Sequence, residues 1–337
     1  MIRFASWNGK VSLMKNDRFV LWLLVILLGL SGLSALFPAS SLAASGASFL
    51  KLGVGARALG LGSAYTAIAE DSTALHWNPA GLAFVQKAEV SATHAELFAG
   101  SRSDFLGYAQ TVKRASSSES LLSFGVSALY LNQPDLDGRS ESRSATGDFN
   151  AGDLAVTFAG AKNVGPLSLG AGVKVLRSQI AGETASGLAL DIGTVWKRPG
   201  SKLQLGAAVQ NLGPQMKFAQ DSYALPLTLS GGAGYHIARG LLVSADLKTR
   251  PYDSKTSLSF GTEFAPVSML ALRCGYLAEG AASKAPVSGG GFEKNAANLT
   301  GFGFGLGLKF SRAALDYAFT PSGELGNSQR LSLSVKF

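Results

Sequence analysis

From about residue 88 to the C-terminus, apolar residues alternate with small or polar ones at a period of two. The clearest run places an aromatic or aliphatic side chain at every second position, at Phe302, Phe304, Leu306, Leu308 and Phe310. This alternation is typical of β-strands whose two faces meet different surroundings. The runs are about 9–12 residues long, which is the length that a tilted strand needs to cross a bilayer.

Fourteen such runs follow one another along the chain, at 88–98, 102–113, 120–132, 152–163, 167–180, 187–198, 202–213, 226–237, 240–250, 256–266, 269–279, 299–310, 312–320 and 329–337. Bacterial outer-membrane barrels contain an even number of antiparallel strands. The pattern therefore predicts an all-β fold, a transmembrane antiparallel β-barrel of about fourteen strands over residues 87–337. Small residues predominate on the expected inner faces, and they leave room for another part of the chain in the lumen.

Short and longer connections alternate between these runs. The short ones lie at 164–166, 199–201, 238–239, 267–268 and 311. The longer, polar ones lie at 133–151, 181–186, 214–225, 251–255, 280–298 and 321–328. Outer-membrane barrels have short periplasmic turns and long outer loops. The alternation therefore favours a barrel over a two-sheet sandwich, and it predicts that the longer loops face the cell exterior.

The last run ends on an aromatic residue at the C-terminus. Leu331, Leu333, Val335 and Phe337 share one face of this run, whereas serine and lysine occupy the other. A strand without a covering tail must pair along its free edge, and a last strand that returns to the first closes a barrel. The ending also resembles the assembly signal of outer-membrane barrels. We therefore expect the barrel assembly machinery and outer-membrane lipid as partners.

The composition favours a membrane barrel over a soluble domain. Of the 337 residues, 15% are charged, against about 25% in ordinary soluble domains. Glycine accounts for 41 residues. The formal net charge is +8, but no basic cluster interleaved with aromatic residues indicates nucleic-acid binding. Cys274 is the single cysteine, so the sequence contains no disulfide framework.

The first residues have the pattern of an export signal. An unbroken apolar run, Phe19–Leu30, follows basic residues and precedes small ones. This order is that of a cleaved signal peptide. We predict a signal peptide over residues 1–43, with cleavage after Ala43 or Ala44, and Met14 is an alternative start. The expected location is the outer membrane of a Gram-negative bacterium.

Residues 44–86 do not alternate, which predicts a separate N-terminal segment before the barrel. Asp71 or Ser72 can cap the start of a short helix, and Pro79 disfavours helix at Asn78. The upstream glycines match a dinucleotide-binding pattern, but no strand precedes them and no βαβ unit follows. These glycines suit close packing of the segment against a barrel wall instead.

This segment resembles a known family over residues 49–86. The resemblance rests on the run from Phe49 to Gly60 and on the run from Glu70 to Leu82. Both are similar to the opening of PorV/PorQ-type proteins, which belong to the FadL-like outer-membrane superfamily. That family has a fourteen-stranded barrel with an N-terminal hatch in its lumen. The resemblance implies a hatch over residues 44–86, with a hatch motif at Trp77, Asn78, Pro79, Ala80 and Gly81 and a glycine-rich hatch segment at Gly53, Gly55, Arg57, Gly60 and Gly62.

The resemblance leaves two functions open. FadL relatives take up long-chain fatty acids and other hydrophobic compounds, which implies a gated conduit or binder for hydrophobic small molecules. PorV relatives serve the type IX secretion system, which implies instead docking of the C-terminal domain of a secreted cargo protein. A conduit needs an apolar pocket in its lumen, whereas a docking protein needs adhesive outer loops.

The sequence does not indicate enzyme chemistry. His76, His94 and His236 are far apart and lack metal-ligand spacing. His94 lies near Ser91 and Thr93 in the sequence, but on the opposite face of its strand, so a serine–histidine pair is not expected. We therefore expect no enzyme activity, no catalytic or metal-binding residue and no cofactor.

Overall fold

The computed structural model describes residues 45–113, 120–139, 142, 144–218, 221–279, 299–321 and 326–337. The predicted signal peptide at 1–43 and the predicted loop at 280–298 lie outside these residues. No helix within the described ranges is long and apolar enough to cross a membrane.

Among the described residues, fourteen antiparallel strands form one closed barrel. In chain order they are β1 (Ala88–Glu96), β2 (Arg102–Lys113), β3 (Ser120–Arg139), β4 (Ala145–Val164), β5 (Leu167–Ile180), β6 (Glu183–Lys197), β7 (Leu203–Leu212), β10 (Thr228–Ala238), β11 (Leu241–Arg250), β12 (Lys255–Val267), β13 (Leu270–Glu279), β14 (Phe302–Lys309), β15 (Ala313–Pro321) and β16 (Asn327–Lys336). Two further strands, β8 (Met216–Phe218) and β9 (Asp221–Tyr223), form a separate two-stranded sheet. The predicted barrel fold is confirmed.

The last strand closes the barrel against the first. In the antiparallel β1–β16 pair, Val90 lies opposite Val335, and Ala92 lies opposite Leu333. The N–H of Phe337 donates to the Ala88 carbonyl at 2.9 Å. Closure leaves no edge with unpaired backbone groups, which cannot be tolerated in lipid. The role of this strand as an assembly signal stays a prediction.

The two faces of the wall differ in chemistry. The outer face exposes large apolar side chains along the strands, among them Leu106, Phe158, Leu188, Ile192, Phe260, Leu306, Leu331 and Leu333. The inner face buries small and polar residues. An apolar belt of this extent would be costly in water, but it matches the lipid-facing band of a transmembrane barrel.

The connections lie at two ends of the barrel. One end carries the connections 97–101, 213–227 and 251–254, and we call it the long-loop end. The other end carries the connections 239–240 and 310–312 and the C-terminal residue, and we call it the short-turn end.

Three predicted loops are wrong in part, and one of them, 214–225, contains β8 and β9. Much of the predicted loop 133–151 is strand, because β3 and β4 continue as a two-stranded ribbon in which Leu136 lies opposite Phe149. The predicted loop 181–186 is a tight turn, because Ala181 and Gly182 both adopt a positive φ and let β6 start at Glu183. Polar residues can continue a β-ladder beyond the apolar belt. A prediction of the strand ends from polarity alone was therefore wrong here.

The helices are short and precede the barrel or lie in its connections. Their bounds are Ala56–Gly60 and Ala74–Trp77 for α-helices, and Ser48–Lys51, Pro79–Phe84, Phe98–Gly100 and Pro251–Asp253 for 3-10 helices. The second α-helix ends before Asn78, as Pro79 predicts. It begins later than expected, since Thr73 is its N-cap and Asp71 accepts the Thr73 N–H in a preceding turn at 3.0 Å.

Candidate functional site in the lumen

The N-terminal segment, residues 45–86, contacts the inner face of all fourteen barrel strands. Because the strands close into a cylinder, a single segment can contact all of them only from inside. The segment is mostly buried, and Tyr65, Leu61, Leu75 and Leu82 are fully enclosed. The lumen is therefore filled by the protein's own chain.

Glycines of the wall receive the backbone of this segment. A Cβ atom at Gly193 of β6 would overlap the side-chain oxygen of Asn78, and one at Gly170 of β5 would overlap Ala80. A Cβ at Gly206 of β7 would lie 2.6 Å from the Thr66 carbonyl oxygen. These positions must lack a side chain for the segment to lie this close, which explains part of the glycine content of the strands.

The predicted hatch motif lies in this closely packed region. Asn78 donates from Nδ2 to the carbonyls of Thr66 at 2.8 Å and Thr194 at 3.2 Å, and its Oδ1 accepts the Ala80 N–H at 3.2 Å. It thereby joins two parts of the segment to β6. A Cβ at Gly81 would overlap the Ala69 carbonyl oxygen. This position therefore requires glycine.

The remaining motif residues also pack inside the barrel. The indole Nε1 of Trp77 donates to the Val54 carbonyl at 2.9 Å. The Lys248 ammonium lies 4.4 Å from the Trp77 ring centroid, close enough for a cation–π interaction. Pro79 begins the 3-10 helix Pro79–Phe84, where its missing N–H costs nothing. The structure thus brings the five motif residues together against the wall.

The glycine-rich stretch makes the same kind of contact on the opposite wall. Gly60 lies against the backbone of Gly305 in β14, where an added Cβ would be 3.0 Å from the Gly305 Cα. Gly62, at φ +62, lies against the backbone of Tyr276. Gly53 packs beside Leu59. Gly55, at φ +83, precedes the helix Ala56–Gly60.

A chain of charged side chains fastens the segment at the short-turn half of the barrel. Arg57 donates to both oxygens of Glu263, at 2.8 and 3.1 Å. Arg273 bridges Glu263 at 2.7 Å and Asp316 at 2.6 Å. We call these four residues the ion network. Although burial opposes the charged form, Glu263 raises the pKa of Arg57 well above its ordinary value.

A second polar fastening lies near the middle of the lumen. Asp246 of β11 accepts the backbone N–H groups of Tyr65 at 2.9 Å and Thr66 at 2.8 Å. Lys248, two residues later on the same strand, donates to the Ser63 carbonyl at 2.6 Å. In the sequence, these and the other inner-face charges, Asp246, Lys248, Glu263, Arg273 and Asp316, are singly spaced and of both signs. The sequence did not indicate that they bind the segment, because pairing across the lumen leaves no trace in the strand pattern.

An apolar cluster occupies the long-loop half of the lumen. Phe49, Leu50 and Val54 of the segment pack there against buried wall and connection side chains, at Phe105, Leu129, Leu131, Ala155, Leu176, Ala185, Ala189, Met216 and Leu225. We call these residues the apolar cluster. The sequence did not predict it, because these wall residues interrupt the small-residue inner face at isolated positions.

Cavities between the segment and the wall are small. One of ≈ 90 Å³ is lined by apolar and cationic groups that include Leu50, Lys51, Trp77, Lys248 and Arg250. Another, of ≈ 40 Å³, lies beside Arg57 and Thr73. Ligand pockets usually measure about 300–1,000 Å³. A ligand of ordinary size therefore needs part of the segment to move.

The histidines stay apart in the structure. His94 faces outward and contacts Asp104 at 2.6 Å, on the face opposite to Ser91 and Thr93, as expected. Burial, together with the ammonium groups of Lys174 and Lys248, lowers the pKa of His76 to about 3. Within the described ranges, no group of three or more histidine, cysteine, aspartate or glutamate side chains is placed to hold a metal ion.

Solved structures with the same architecture show that the fold is that of a FadL-like barrel. The toluene transporter TbuX of Ralstonia pickettii is 13% identical, has a TM-score of 0.61, and covers 85% of this chain and 98% of its own. The P. putida toluene transporter TodX is 13% identical, with a TM-score of 0.58 and coverage of 85% and 99%. A Pseudomonas aeruginosa FadL homologue is 13% identical, with a TM-score of 0.55 and coverage of 83% and 97%. Identities this low show the fold alone.

The family is given by sequence. The model of the uncharacterised protein family UPF0164 matches residues 43–300, and the chain belongs to this family. No curated protein matches the chain.

Proposed function

We propose that this protein carries hydrophobic small molecules across the outer membrane of a Gram-negative bacterium, with the N-terminal segment as its hatch. The observation that carries the proposal is the apolar cluster, in which Phe49 and Leu50 occupy the long-loop half of the lumen. Phe49 and Leu50 occupy an apolar site, and an apolar ligand can bind there when these two side chains move out. The toluene transporters with the same fold support this substrate class.

The division of the lumen supports gating by partial movement. The apolar cluster contacts the segment through side chains near its start, whereas the ion network and the glycine contacts hold its later part. Displacing Phe49 and Leu50 breaks no ion pair of that network. Ligand entry therefore requires release of residues near 49–54 and leaves the Asn78 contacts in place.

The proposal is tested by binding and uptake. Purified barrel in detergent is titrated with toluene and, separately, with a long-chain fatty acid, and Phe49→Trp reports the site by its fluorescence. We expect either probe to shift the emission of Trp at position 49, whereas Phe98→Trp on an exposed connection stays unchanged. Cells that express the protein should take up the bound probe faster than cells without it. Binding of neither probe would contradict the proposal.

Membrane placement and processing belong to the same proposal. We infer export by a signal peptide over residues 1–43 and assembly by the barrel assembly machinery, which reads Leu331, Leu333, Val335 and Phe337. The apolar outer belt supports the placement in outer-membrane lipid. Deleting Phe337 should lower the yield of heat-modifiable barrel in outer-membrane fractions. Recovery of the wild-type protein in the soluble periplasm would contradict the placement.

The resemblance to PorV/PorQ-type proteins implies the alternative function, docking the C-terminal domain of a type IX secretion cargo. One observation favours it: the β3–β4 ribbon continues past β2 and β5, with Leu136 opposite Phe149. A ribbon with open edges offers backbone groups to a partner strand. Replacing residues 134–149 by a short turn should abolish cargo display and leave toluene binding intact if docking is the function.

A further inference from the structure

The first described residue is held at the long-loop end. Ser45 donates from its backbone N–H at 3.0 Å and from its hydroxyl at 2.7 Å to Oδ1 of Asp253, in the connection between β11 and β12. The N–H of Gly46 donates to the Ala224 carbonyl at 2.9 Å, in the connection between β7 and β10. Ser45 is 4% exposed. Two connections of the same end therefore enclose the start of the segment.

The Asp253 carboxylate is surrounded by donors and cations. Its Oδ2 lies 2.9 Å from the Lys51 ammonium and 4.0 Å from Nε of Arg250, and its side chain is 6% exposed. Although burial acts in the opposite direction, the bonds from Lys51 and Ser45 lower the pKa of Asp253. The carboxylate is therefore held in its charged form, with Oδ2 toward the two cations and Oδ1 toward the Ser45 nitrogen.

The C-terminal residue lies at the other end. Phe337 bonds to Ala88 at the short-turn end, and the segment runs the length of the lumen before β1 begins there. In an outer-membrane barrel the short-turn end faces the periplasm. Ser45 therefore lies at the cell-surface end, whereas a signal peptide is engaged at the inner membrane.

We propose that cleavage between Ala44 and Ser45 comes before the segment enters the lumen, and that the new α-ammonium of Ser45 binds Asp253 at the cell-surface end. The backbone nitrogen of Ser45 already lies at hydrogen-bond distance from this carboxylate. Hydrolysis of the Ala44–Ser45 peptide bond by water leaves a carboxylate on Ala44 and an amine on Ser45. That amine takes up a proton and becomes an ammonium group, and charge-assisted bonds are the stronger ones. The carboxylate thus recognises the processed chain. This inference rests on the outer-membrane placement proposed above, but not on transport of any ligand.

The topology is tested with two matched cysteines in a Cys274→Ser background. Ser48 and Ser311 are both exposed, at the long-loop and short-turn ends respectively. A membrane-impermeant maleimide added to intact cells should label Ser48→Cys. It should label Ser311→Cys only after the outer membrane is permeabilised. The reverse pattern, or a need for permeabilisation in both variants, would overturn the inference. Neither result would bear on toluene binding, which the titration described above tests.

The ammonium site is tested on purified outer-membrane protein. Its intact mass should correspond to a chain that starts at Ser45, and an Ala44 start would overturn the proposed cleavage. An amine-reactive reagent near pH 8, read by peptide mapping, should modify the α-amine slowly. Asp253→Asn should raise that rate about tenfold, the change expected for loss of one charge-assisted bond. Asp221→Asn, at the same end on the exposed β9, is the control. Equal rates in wild type, Asp253→Asn and Asp253→Glu would show that Asp253 does not bind the amine.

Discussion

The long-loop and short-turn halves of the lumen hold the N-terminal segment by different forces. In the long-loop half, Ser45 and Lys51 bind Asp253 at the rim, and Phe49, Leu50 and Val54 below it are held by apolar contact. In the short-turn half, the backbone lies on glycines, and the Arg57 guanidinium binds Glu263. Apolar contact is non-directional, and an apolar ligand can replace it. Separating a buried ion pair leaves a charge without its partner, which is strongly unfavourable. The apolar side chains of the long-loop half are therefore suited to exchange with a ligand, whereas the short-turn half is suited to anchoring the segment.

The largest expected effect comes from the ion network. Glu263→Gln leaves the buried guanidinium group of Arg273 and the part-buried one of Arg57 beside each other without their shared carboxylate. Breaking such a pair costs about 3–5 kcal/mol. We expect a large rise in conductance in planar bilayers and faster trypsin cleavage at Arg57. Glu183→Gln, on the exposed start of β6, is the control, and equal behaviour of the two variants would contradict anchoring by Glu263.

A smaller effect is expected in the long-loop half. Phe49→Ala removes a side chain that is 1% exposed, which costs about 3 kcal/mol locally. Because the ion network stays intact, conductance should rise less than in Glu263→Gln, whereas toluene affinity should increase. Isothermal titration of the detergent-solubilised barrel measures the affinity. Phe98→Ala on the exposed connection should change neither quantity. A conductance rise as large as that of Glu263→Gln would remove the distinction between the halves.

The glycine contacts allow a sharper test. Gly193→Val places a side chain where the Asn78 amide oxygen lies, and overpacking of this kind costs about 1–3 kcal/mol. We expect faster maleimide labelling of Ala80→Cys, a buried position two residues after Asn78, in a Cys274→Ser background when Gly193→Val is added. Gly160→Val is the matched control, since a Cβ there has its nearest neighbour at 3.6 Å. Unchanged labelling would show that the segment does not need this contact.

The smallest effect is a dependence on pH. His76 lies on the helix Ala74–Trp77, and burial near Lys174 and Lys248 lowers its pKa to about 3 in the closed state. Release of residues 49–54, some of which line the same cavity as His76, hydrates the imidazole and returns its pKa toward about 6.5. The displaced state therefore binds more protons, and acid favours it by about 1 kcal/mol between pH 8 and pH 6. Conductance should rise in the wild type as the pH falls from 8 to 6, and it should rise less in His76→Gln. An equal rise in both would assign the effect to other groups.

Sequence periodicity located the strands well, because each strand has an apolar outer face and an inner face of small residues. The predicted run 167–180 coincides with β5, Leu167–Ile180. The prediction was wrong where this contrast ends. At the long-loop end, the β3–β4 ribbon and the turn at Ala181 follow backbone pairing and positive φ, and neither depends on polarity.

The site was predictable only as a set of residue types. A short segment without alternation, with Asn78 before Pro79 and glycines upstream, indicated a compact element beside the wall. The partners of that element were not predictable, because Gly193 and Asp246 reach it across more than a hundred residues of chain. Each looks like any other lumen residue in its own strand.

The sequence by itself determined the barrel, its strands and the separate character of residues 44–86, because these follow from local patterns that repeat along the chain. Only the tertiary structure decided which groups meet in the lumen. Closure brings Glu263, Asp246, Gly193 and Phe105 around one segment, at positions set by strand register. The division into an apolar half and an anchored half arises from that register, since it depends on the height of each residue in the wall.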